Sequence, residues 1–572
     1  MKFGSSITLL KQFIVKGMTL SLICLAGAAD ATQFVVTSVA DDLTLGTLRT
    51  AITSANADNN APHVIVFNTG GDARTITLLT ALPDFRRVTT LDTAAATQVY
   101  VNASDVPGQV LFTSGPQLTL RTNRGNGTSN WGGNIVASGG GRVILLPQGA
   151  ITYTGSITGL GDVSCQAGFG AITLSGANTP ASMTIEGGTT KLSAGGSVIA
   201  PVTVQAATLE MNGGVVGAVT GQANSILNVT GNFSPTAVVT GVGNINVTGV
   251  GDYTITSGFG PAGFTNFTVG AGTHLNLATD FAVPDAATFT NAGNMVMNNN
   301  NVVMGTNSTF NSNGNLTTGG SIQRRAGGGA YNLVVGNGST LTVDNPITGN
   351  NTLSVIANST LDLENGGNFV NGVALDNGTF NVDGGTFTGN VTNPGRNSVL
   401  NINETFTPPA AITVDTLNIN SGATTLTPAA VTVGTLNINN GATFTPNAAV
   451  TTNAALHIFD GGTLLSTNDI AGAGLVTNQG TITQTAGVRN IPGAFTQAAT
   501  GTINIAVTST SPPVCSSFAV TGQTTLQGGE INIALPSTTT AINQGDVLTV
   551  LTSGGGIVAN PVLPTVVPTG SL

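Results

Sequence analysis

The chain has 572 residues, of which 40% are hydrophobic and only 7% are charged. This hydrophobic content is sufficient for a buried core and excludes the composition typical of disordered chains, while three cysteines are too few for a disulfide-based fold. The formal net charge is −10, with 15 lysines and arginines against 25 acidic residues, which excludes the basic surface that nucleic acid binding needs. No nucleic acid partner is therefore expected.

The N-terminus has the pattern of an export signal. Positively charged residues precede an apolar run over residues 18–29, and the run ends in a small-x-small sequence of the kind that signal peptidases cleave. The run is shorter than the ~20 apolar residues that span a bilayer. The pattern predicts a signal peptide over residues 1–31, cleaved between Ala31 and Thr32, and export through the Sec pathway.

Residues 44–57, TLGTLRTAITSANA, differ from the short alternating runs that follow them. Leu45, Leu48, Ile52 and Ala55 recur at steps of three or four, which is the spacing of residues on one face of an α-helix. The segment therefore predicts a short amphipathic helix whose apolar face consists of these four residues.

A Gly/Asn-rich segment further along contains the only tryptophan of the chain and several cations. The residues of interest are Arg121, Arg124, Trp131 and Arg142. An exposed aromatic ring with cations nearby suits a contact with a glycan or a protein. The alternative, which we favour, is that Trp131 fills the core at a turn.

A short repeat, of roughly 20 residues and thus within the range of solenoid units, dominates the second half. The segment ITVDTLNINSGATTLTPAA from Ile412 is matched one unit later by VTVGTLNINNGATFTPNAA from Val431, and Leu341, Leu361 and Phe380 keep a similar spacing upstream. Apolar and polar residues alternate within each unit, which predicts strands with one buried face. Units this short cannot bury that face alone, so they must stack. We expect an all-β, right-handed parallel β-helix (a β-solenoid) of about 20 residues per coil.

Such a stack has an open first coil, whose apolar interior and unpaired strand edge need covering. The predicted helix is placed to do this as an N-terminal cap. Motifs around it occur in a fixed order: Ala40-Asp41, Gly46-Thr47-Leu48-Arg49-Thr50-Ala51-Ile52, Ala55-Asn56, Ile65-Val66-Phe67, Thr75-Ile76-Thr77-Leu78, Leu82-Pro83 and Val88-Thr89. This order resembles the N-terminal cap of many bacterial right-handed parallel β-helix surface proteins. The resemblance implies a cap over residues 32–92.

The C-terminal part is similar to another group of exported proteins. Residues 518–557 carry VTGQTTLQGGEINI followed by GDVLTVL. This order resembles the last passenger segment of autotransporters, and the Gly/Asn/Thr-rich middle is similar to rickettsial and chlamydial outer membrane antigens. The resemblance implies a repetitive β-helix passenger over residues 93–500 and a passenger-end segment over 501–572, at the surface of a Gram-negative bacterium or secreted from it.

No translocator barrel is expected within residues 501–572, because the alternating lipid-facing strands of such barrels are not apparent there. Three interpretations of the chain therefore remain open. It is a truncated autotransporter, a passenger exported by a separate outer-membrane translocator, or a released protein.

Catalysis would require the features of β-helix enzymes that act on acidic polysaccharides. Those enzymes need acid/base or calcium-binding carboxylates close together and basic residues for the substrate. The adjacent acidic pair Asp41-Asp42 belongs to the cap motif, and Lys191 is the only lysine beyond the predicted signal. No catalytic activity and no cofactor are therefore expected.

A metal site is not expected either. His63, His274 and His457 are far apart and lack the spacing of metal-binding motifs. His457 should point outward, because it lies between apolar residues of a predicted strand. Cys165 and Cys515 are expected to be isolated buried residues.

These features favour a secreted or surface-displayed adhesin or host-contact antigen, with proteins or glycans of host cells or matrix as partners. Long repetitive sheets offer area rather than a pocket, which suits weak multivalent contact. Two alternatives remain, which are a polysaccharide-active β-helix lyase or hydrolase and a purely structural surface coat.

Overall fold

The structure is a computed structural model, and its description covers most of the chain beyond the predicted signal. The described residues are 31–60, 62–69, 74–92, 99–102, 109–113, 117–121, 128–131, 134–137, 141–147, 149–168, 170–213, 216–230, 238–256, 263–317, 319–369, 371–408, 410–427, 429–472, 474–510, 512–535, 545–559 and 562–569. The predicted signal peptide lies outside them except for Ala31.

The chain divides into two compact units, residues 1–253 with 257–265 and residues 254–256 with 266–572. In each unit short strands of successive coils pair in parallel and form stacks. The strand Gly251–Ile255 is divided between the two units. Among the described residues, no helix has the length and apolar character needed to cross a membrane.

The first unit contains two long stacks and several shorter sheets. The first stack consists of Thr32–Val36, His63–Phe67, Thr89–Asp92, Gln117–Arg121, Arg142–Leu146, Asp162–Cys165, Ser182–Glu186, Val202–Gln205, Val219–Gly221 and Val239–Thr240. The second stack consists of Arg74–Thr77, Val99–Asn102, Thr128–Trp131, Ala150–Tyr153, Ala171–Leu174, Thr189–Leu192, Thr208–Met211, Ile226–Val229 and Asn244–Val247. The shorter sheets consist of Gln109–Thr113, Asn134–Ala137 and Ile157–Gly159, and of Ala177–Asn178 with Ser197–Val198.

In the second unit, the first and second stacks are joined at a corner. The first stack consists of Asn266–Val269, Thr288–Asn291, Thr309–Ser312, Asn332–Val335, Leu353–Ile356, Val373–Asp376, Val391–Thr392 and Ile470–Ala471. The second consists of Thr273–Leu277, Asn294–Val296, Leu316–Thr317, Thr340–Val343, Thr360–Leu363, Thr379–Val382, Val399–Ile402, Leu475–Asn478, Phe495–Gln497, Thr524–Leu526 and Ile557–Ala559. Three longer strands belong to both stacks, namely Ile412–Ile419, Val431–Ile438 and Val450–Ile458.

The remaining strands of the second unit form three further sheets. The third stack consists of Phe281–Val283, Val302–Met304, Ile322–Arg324, Pro346–Thr348, Asn368–Phe369 and Thr386–Phe387. The fourth consists of Thr424–Thr427, Thr443–Pro446, Thr463–Leu465, Thr481–Gln484, Thr502–Thr510, Glu530–Ala534 and Thr565–Thr569, with Pro513–Cys515 antiparallel to Thr502–Thr510. The last consists of Val488–Ile491, Ser517–Val520 and Leu551–Ser553.

The pairing confirms the β-solenoid and the repeat predicted from sequence. Leu341 pairs with Leu361, and Leu361 pairs in turn with Phe380, so one sequence unit corresponds to one coil. Leu417 pairs with Leu436 at the same position of the next two units. The alternation has the predicted effect, because these apolar residues are all fully buried and their polar neighbours in the strands face outward.

Stacked aromatic rings occupy part of the interior of the second unit. Phe289 lies at ring-centroid distances of 5.4 Å from Phe267, 5.2 Å from Phe281 and 4.8 Å from Phe310. All four rings are fully buried. Phe267, Phe289 and Phe310 hold the same position in three successive coils and form a column, because parallel stacking places identical positions above one another. Phe281 packs against this column from the third stack.

The predicted amphipathic helix is present, although it begins later than its apolar pattern suggested. It spans Leu48–Ala57, and the Thr47 side chain caps it by accepting a hydrogen bond from the Thr50 backbone N–H. Leu48, Ile52 and Ala55 are buried, as predicted.

The prediction that Leu45 belongs to this apolar face is wrong. Leu45 is 91% exposed and lies before the helix. Gly46 adopts a φ of +86°, which interrupts the helical path and turns residue 45 away from the face.

Polar side chains join the helix to the loop over residues 79–86. Arg49 donates to both carboxylate oxygens of Asp41 at 2.8 and 2.9 Å, and to the carbonyl oxygen of Ala81 at 2.7 Å. Asp41 also accepts from the Leu79 backbone N–H at 2.6 Å. At the other end of the helix, Asn56 accepts from the Arg86 backbone N–H at 3.0 Å. The polar residues of the N-terminal motif thus have a structural role in fixing the helix.

Candidate binding face

Of the cations in the sequence-predicted cluster, the structure describes Arg121 and Arg142, and it does not bring these two together. Arg121 lies beside Leu146 in the neighbouring strand, whereas Arg142 is at the opposite end of that strand, about 13 Å away along it. Arg121 lies 3.5 Å from an Asp92 carboxylate oxygen, and Arg142 lies 2.6 Å from a Glu186 carboxylate oxygen. Arg124 lies outside the described residues.

Trp131 belongs to the core rather than to a ligand contact. Its side chain is 1% exposed, and its ring packs edge-on against Phe67 at a centroid distance of 6.4 Å. The strand register places it beside Tyr153, which is also buried. The expectation of a ligand-contacting Trp131 is therefore wrong, and the alternative of a core plug is confirmed.

The histidines and cysteines are dispersed, as expected. His63 is buried in the first unit, with Nδ1 3.9 Å from an Asp58 carboxylate oxygen, and His457 is half-exposed on an outward strand position of the second unit. Burial raises the pKa of the free Cys165 thiol to about 12, which keeps it protonated. Cys515 is free and buried in the second unit. Within the described part of the chain, no three His, Cys, Asp or Glu residues come together as metal ligands.

A regular polar surface lies on the second unit. It is the outward side of the second stack, and we call it the Thr–Asn face. One column of this face contains Asn294, Asn315, Thr340, Thr360, Thr379, Val399, Thr416 and Thr435, and the next contains Asp362, Asn381, Asn401, Asn418, Asn437 and His457. Neighbouring strands are ~4.8 Å apart, so side chains recur at that interval along each column, and all of those named except Val399 are polar.

Side-chain amides in the second column form a ladder. Asn401 donates to Asn381, Asn418 to Asn401, and Asn437 to Asn418, with nitrogen–oxygen distances of 2.7, 2.7 and 2.8 Å. Each amide group has two N–H bonds and an oxygen with two lone pairs. A ladder contact uses only one donor and one acceptor site, so the face keeps hydrogen-bonding capacity toward solvent or a ligand.

The ladder begins at a carboxylate. Asn381 donates to Asp362 at 2.7 Å. Partial burial raises the pKa of the Asp362 carboxyl above its usual value, the hydrogen bond from Asn381 opposes this rise, and the Asp383 carboxylate adds to it. This end of the face is therefore acidic, whereas the column from Asn381 to Asn437 is uncharged.

A cleft opens at the corner between the first and second stacks, and we call it the Asn–Gly cleft. It has a volume of about 220 Å³ and is lined by Gly272, Ala292, Gly293, Asn294, Asn313, Gly314, Asn315, Asn337, Gly338 and Ser339. These ten residues come from four successive coils, so the cleft crosses the strands. Its lining contains amides, a hydroxyl and backbone, but no ionisable group.

Glycine is required at the floor of the Asn–Gly cleft because the coils approach closely there. A Cβ atom on Gly293 would lie 2.2 Å from the Thr273 carbonyl oxygen, and one on Gly314 would lie 2.0 Å from the Gly293 carbonyl oxygen. Asn337 has a φ of +61°, a conformation that asparagine adopts more readily than most residues. The glycines thus allow the turns of successive coils to stack closely beneath the cleft.

The sequence had shown neither the Asn–Gly cleft nor the ladder as a site. The ladder could have been found in the sequence, because the repeated segment TLNIN places asparagine at the same position in successive units. No known protein family, curated protein or solved structure matches the chain. The fold and the two polar surfaces therefore define it as a parallel β-solenoid with a candidate binding face on its second unit.

Proposed function

We propose that this chain is an exported β-solenoid of the autotransporter-passenger type, which acts as an adhesin or host-contact antigen. The observation that carries the proposal is the Thr–Asn face, where uncharged asparagine side chains repeat in four successive coils. Such a surface offers many similar weak contacts. The overall affinity becomes high when one ligand forms several of these contacts at once.

The N-terminal region supports the assignment to bacterial β-helix surface proteins. The motif residues Asp41, Arg49 and Asn56 all form hydrogen bonds with the loop over residues 79–86. These bonds explain why the motif has polar residues at these positions. The signal-like N-terminus supports export.

In the same proposal, the helix Leu48–Ala57 caps the first coil. It contacts the strands Thr32–Val36 and His63–Phe67, and its buried residues include Leu48 and Ile52. Replacing both with aspartate (Leu48→Asp and Ile52→Asp) should cause aggregation and a large loss of secreted protein, because two charges would enter an apolar contact. The control is Thr53→Asp at an exposed position of the same helix. Unchanged yield and a monodisperse elution profile for the double variant would contradict the capping role.

The contact function is tested by binding of purified residues 32–572 to host cells, matrix proteins and glycans. We expect saturable binding to at least one of these surfaces. If instead polysaccharides release reducing or unsaturated sugars in its presence, the protein is a polysaccharide-active enzyme. If no surface shows saturable binding, the structural coat is the better description.

A further inference from the structure

We infer that the Asn–Gly cleft binds a neutral glycan chain, one whose sugars carry hydroxyl or acetamido groups but no charge. The inference rests on the proposed contact function and gives it a ligand class and a location. It is drawn from the shape of the cleft, the chemistry of its lining and its continuity with the Thr–Asn face.

The shape suits an extended chain. The cleft crosses four coils at ~4.8 Å each, so it is about 14 Å long and runs perpendicular to the strands. Its volume of about 220 Å³ is below the ~300 Å³ at which pockets for compact small molecules begin. A narrow, open groove of this length accommodates a short oligosaccharide or one stretch of a longer chain.

The lining selects by hydrogen bonding rather than by charge. Asn294, Asn313, Asn315 and Asn337 can each donate and accept. The Ser339 hydroxyl is buried and already donates to the carbonyl oxygens of Ser312 and Gly336, so the four amides carry the contact. Sugar hydroxyl groups also donate and accept, so they complement an amide with either orientation. The lining has no cation to bind phosphate or uronate and no aromatic ring for a base or an aromatic peptide side chain. It also lacks the apolar area that a lipid needs.

The Asn–Gly cleft continues into the Thr–Asn face. Asn294 and Asn315 lie in the same outward column as Thr340, Thr360 and Thr379. A glycan that leaves the cleft along this column meets threonine side chains in the next three coils, before the column reaches Val399. Binding should therefore strengthen with chain length until the column is covered, because each further contact forms within an existing complex.

The experiment uses purified residues 32–572 and immobilised neutral oligosaccharides of the β-glucan, α-glucan and N-acetylglucosamine series. Polygalacturonate and heparin serve as charged comparators. The main variant carries Asn294→Thr and Asn315→Thr, which remove two amides from the cleft while keeping a strand-forming residue of the kind that Thr340 provides in the next coil. A second variant, Asn337→Gly, removes a third amide and tolerates the positive φ at that position.

The control variant is Asn276→Thr, which changes an outward asparagine of the same stack that does not line the cleft. We expect binding to at least one neutral series, a rise of about tenfold or more in Kd for the double variant, and an unchanged Kd for the control. Circular dichroism and thermal melting identify any variant that has not folded.

The outcomes separate this inference from the proposed function. Binding to neutral glycans that the double variant and Asn337→Gly leave unchanged would overturn the location in the cleft. Saturable binding to cells or matrix proteins, with none to neutral glycans, would overturn the ligand class and leave the contact function standing. Preference for heparin or polygalacturonate would also overturn the ligand class. Absence of all saturable binding would overturn both.

Discussion

Two regions of the second unit show how the same coil can have different corners. In residues 266–343, which we call the open-corner coils, each coil passes from the first stack to the second through a short turn that contains glycine. In residues 412–458, the closed-corner coils, one strand of eight or nine residues runs through both stacks. The open corner carries the Asn–Gly cleft, and the closed-corner coils carry Asn418 and Asn437 of the amide ladder.

The difference arises from a few residues at the corner. Gly293 and Gly314 allow the open turns to pack closely, whereas VDT and VGT in the closed-corner coils keep the backbone extended. The interiors remain similar in kind, since both are columns of fully buried apolar residues. The interior therefore holds the coils together, while the conformation of the corner determines whether a cleft for a ligand is present.

The largest expected effect tests whether the interior is equally important in both regions. Phe289→Ala in the open-corner coils and Leu436→Ala in the closed-corner coils should each lower the free energy of unfolding by about 3 kcal/mol or more, because each leaves a cavity in a close-packed interior. Chemical denaturation measures both. A cost below ~1 kcal/mol for Leu436→Ala would indicate that the amide ladder, and not the interior, holds the closed-corner coils.

A smaller effect tests the contribution of the ladder. Asn418→Ala should lower the free energy of unfolding by about 1–2 kcal/mol, because it removes the hydrogen bonds to Asn401 and Asn437 and leaves their partner atoms unpaired. The matched control is Asn276→Ala, a half-exposed outward residue in an open-corner coil. If both variants lowered the free energy of unfolding equally, the amide ladder would make no additional contribution to the stability of the closed-corner coils.

The smallest effect concerns the acidic start of the ladder. The pKa of Asp362 is raised mainly by burial, so its ionised form destabilises the folded state. This cost is absent below the unfolded pKa of about 3.9, grows as pH rises through the folded pKa, and is then constant. Asp362→Asn should therefore raise the Tm slightly at pH 7, with a gain that disappears toward pH 3. A gain that persists undiminished at pH 3 would contradict this origin.

Much of the fold could be predicted from the sequence because it depends on local repetition. The spacing of Leu341, Leu361 and Phe380 specified which residues stack, and the pairing confirms it. Alternation also gave the outward direction of His457, which the structure confirms. The helix was predicted from its apolar period, but Leu45 was misplaced because the positive φ at Gly46 makes the helix begin after residue 45.

The candidate site could not be predicted in the same way. In the open-corner coils Met295 pairs with Leu316, and Leu316 pairs with Leu341, so the second step along the chain is longer than the first. This irregular spacing hides the repeat in the coil that contributes Asn337, Gly338 and Ser339 to the Asn–Gly cleft. A single chain also does not show that Trp131 packs against Phe67, since the two are distant in sequence and meet only through the stacking of coils.

The most direct measurement of the central claim is a crystal structure with the neutral oligosaccharide that binds most tightly. We expect sugar density in the open-corner coils above Gly293 and Gly314, with hydroxyl groups ~3 Å from the amides of Asn294 and Asn315. Density confined to the first unit, or to the third stack of the second unit, would contradict the binding of a neutral glycan in the Asn–Gly cleft.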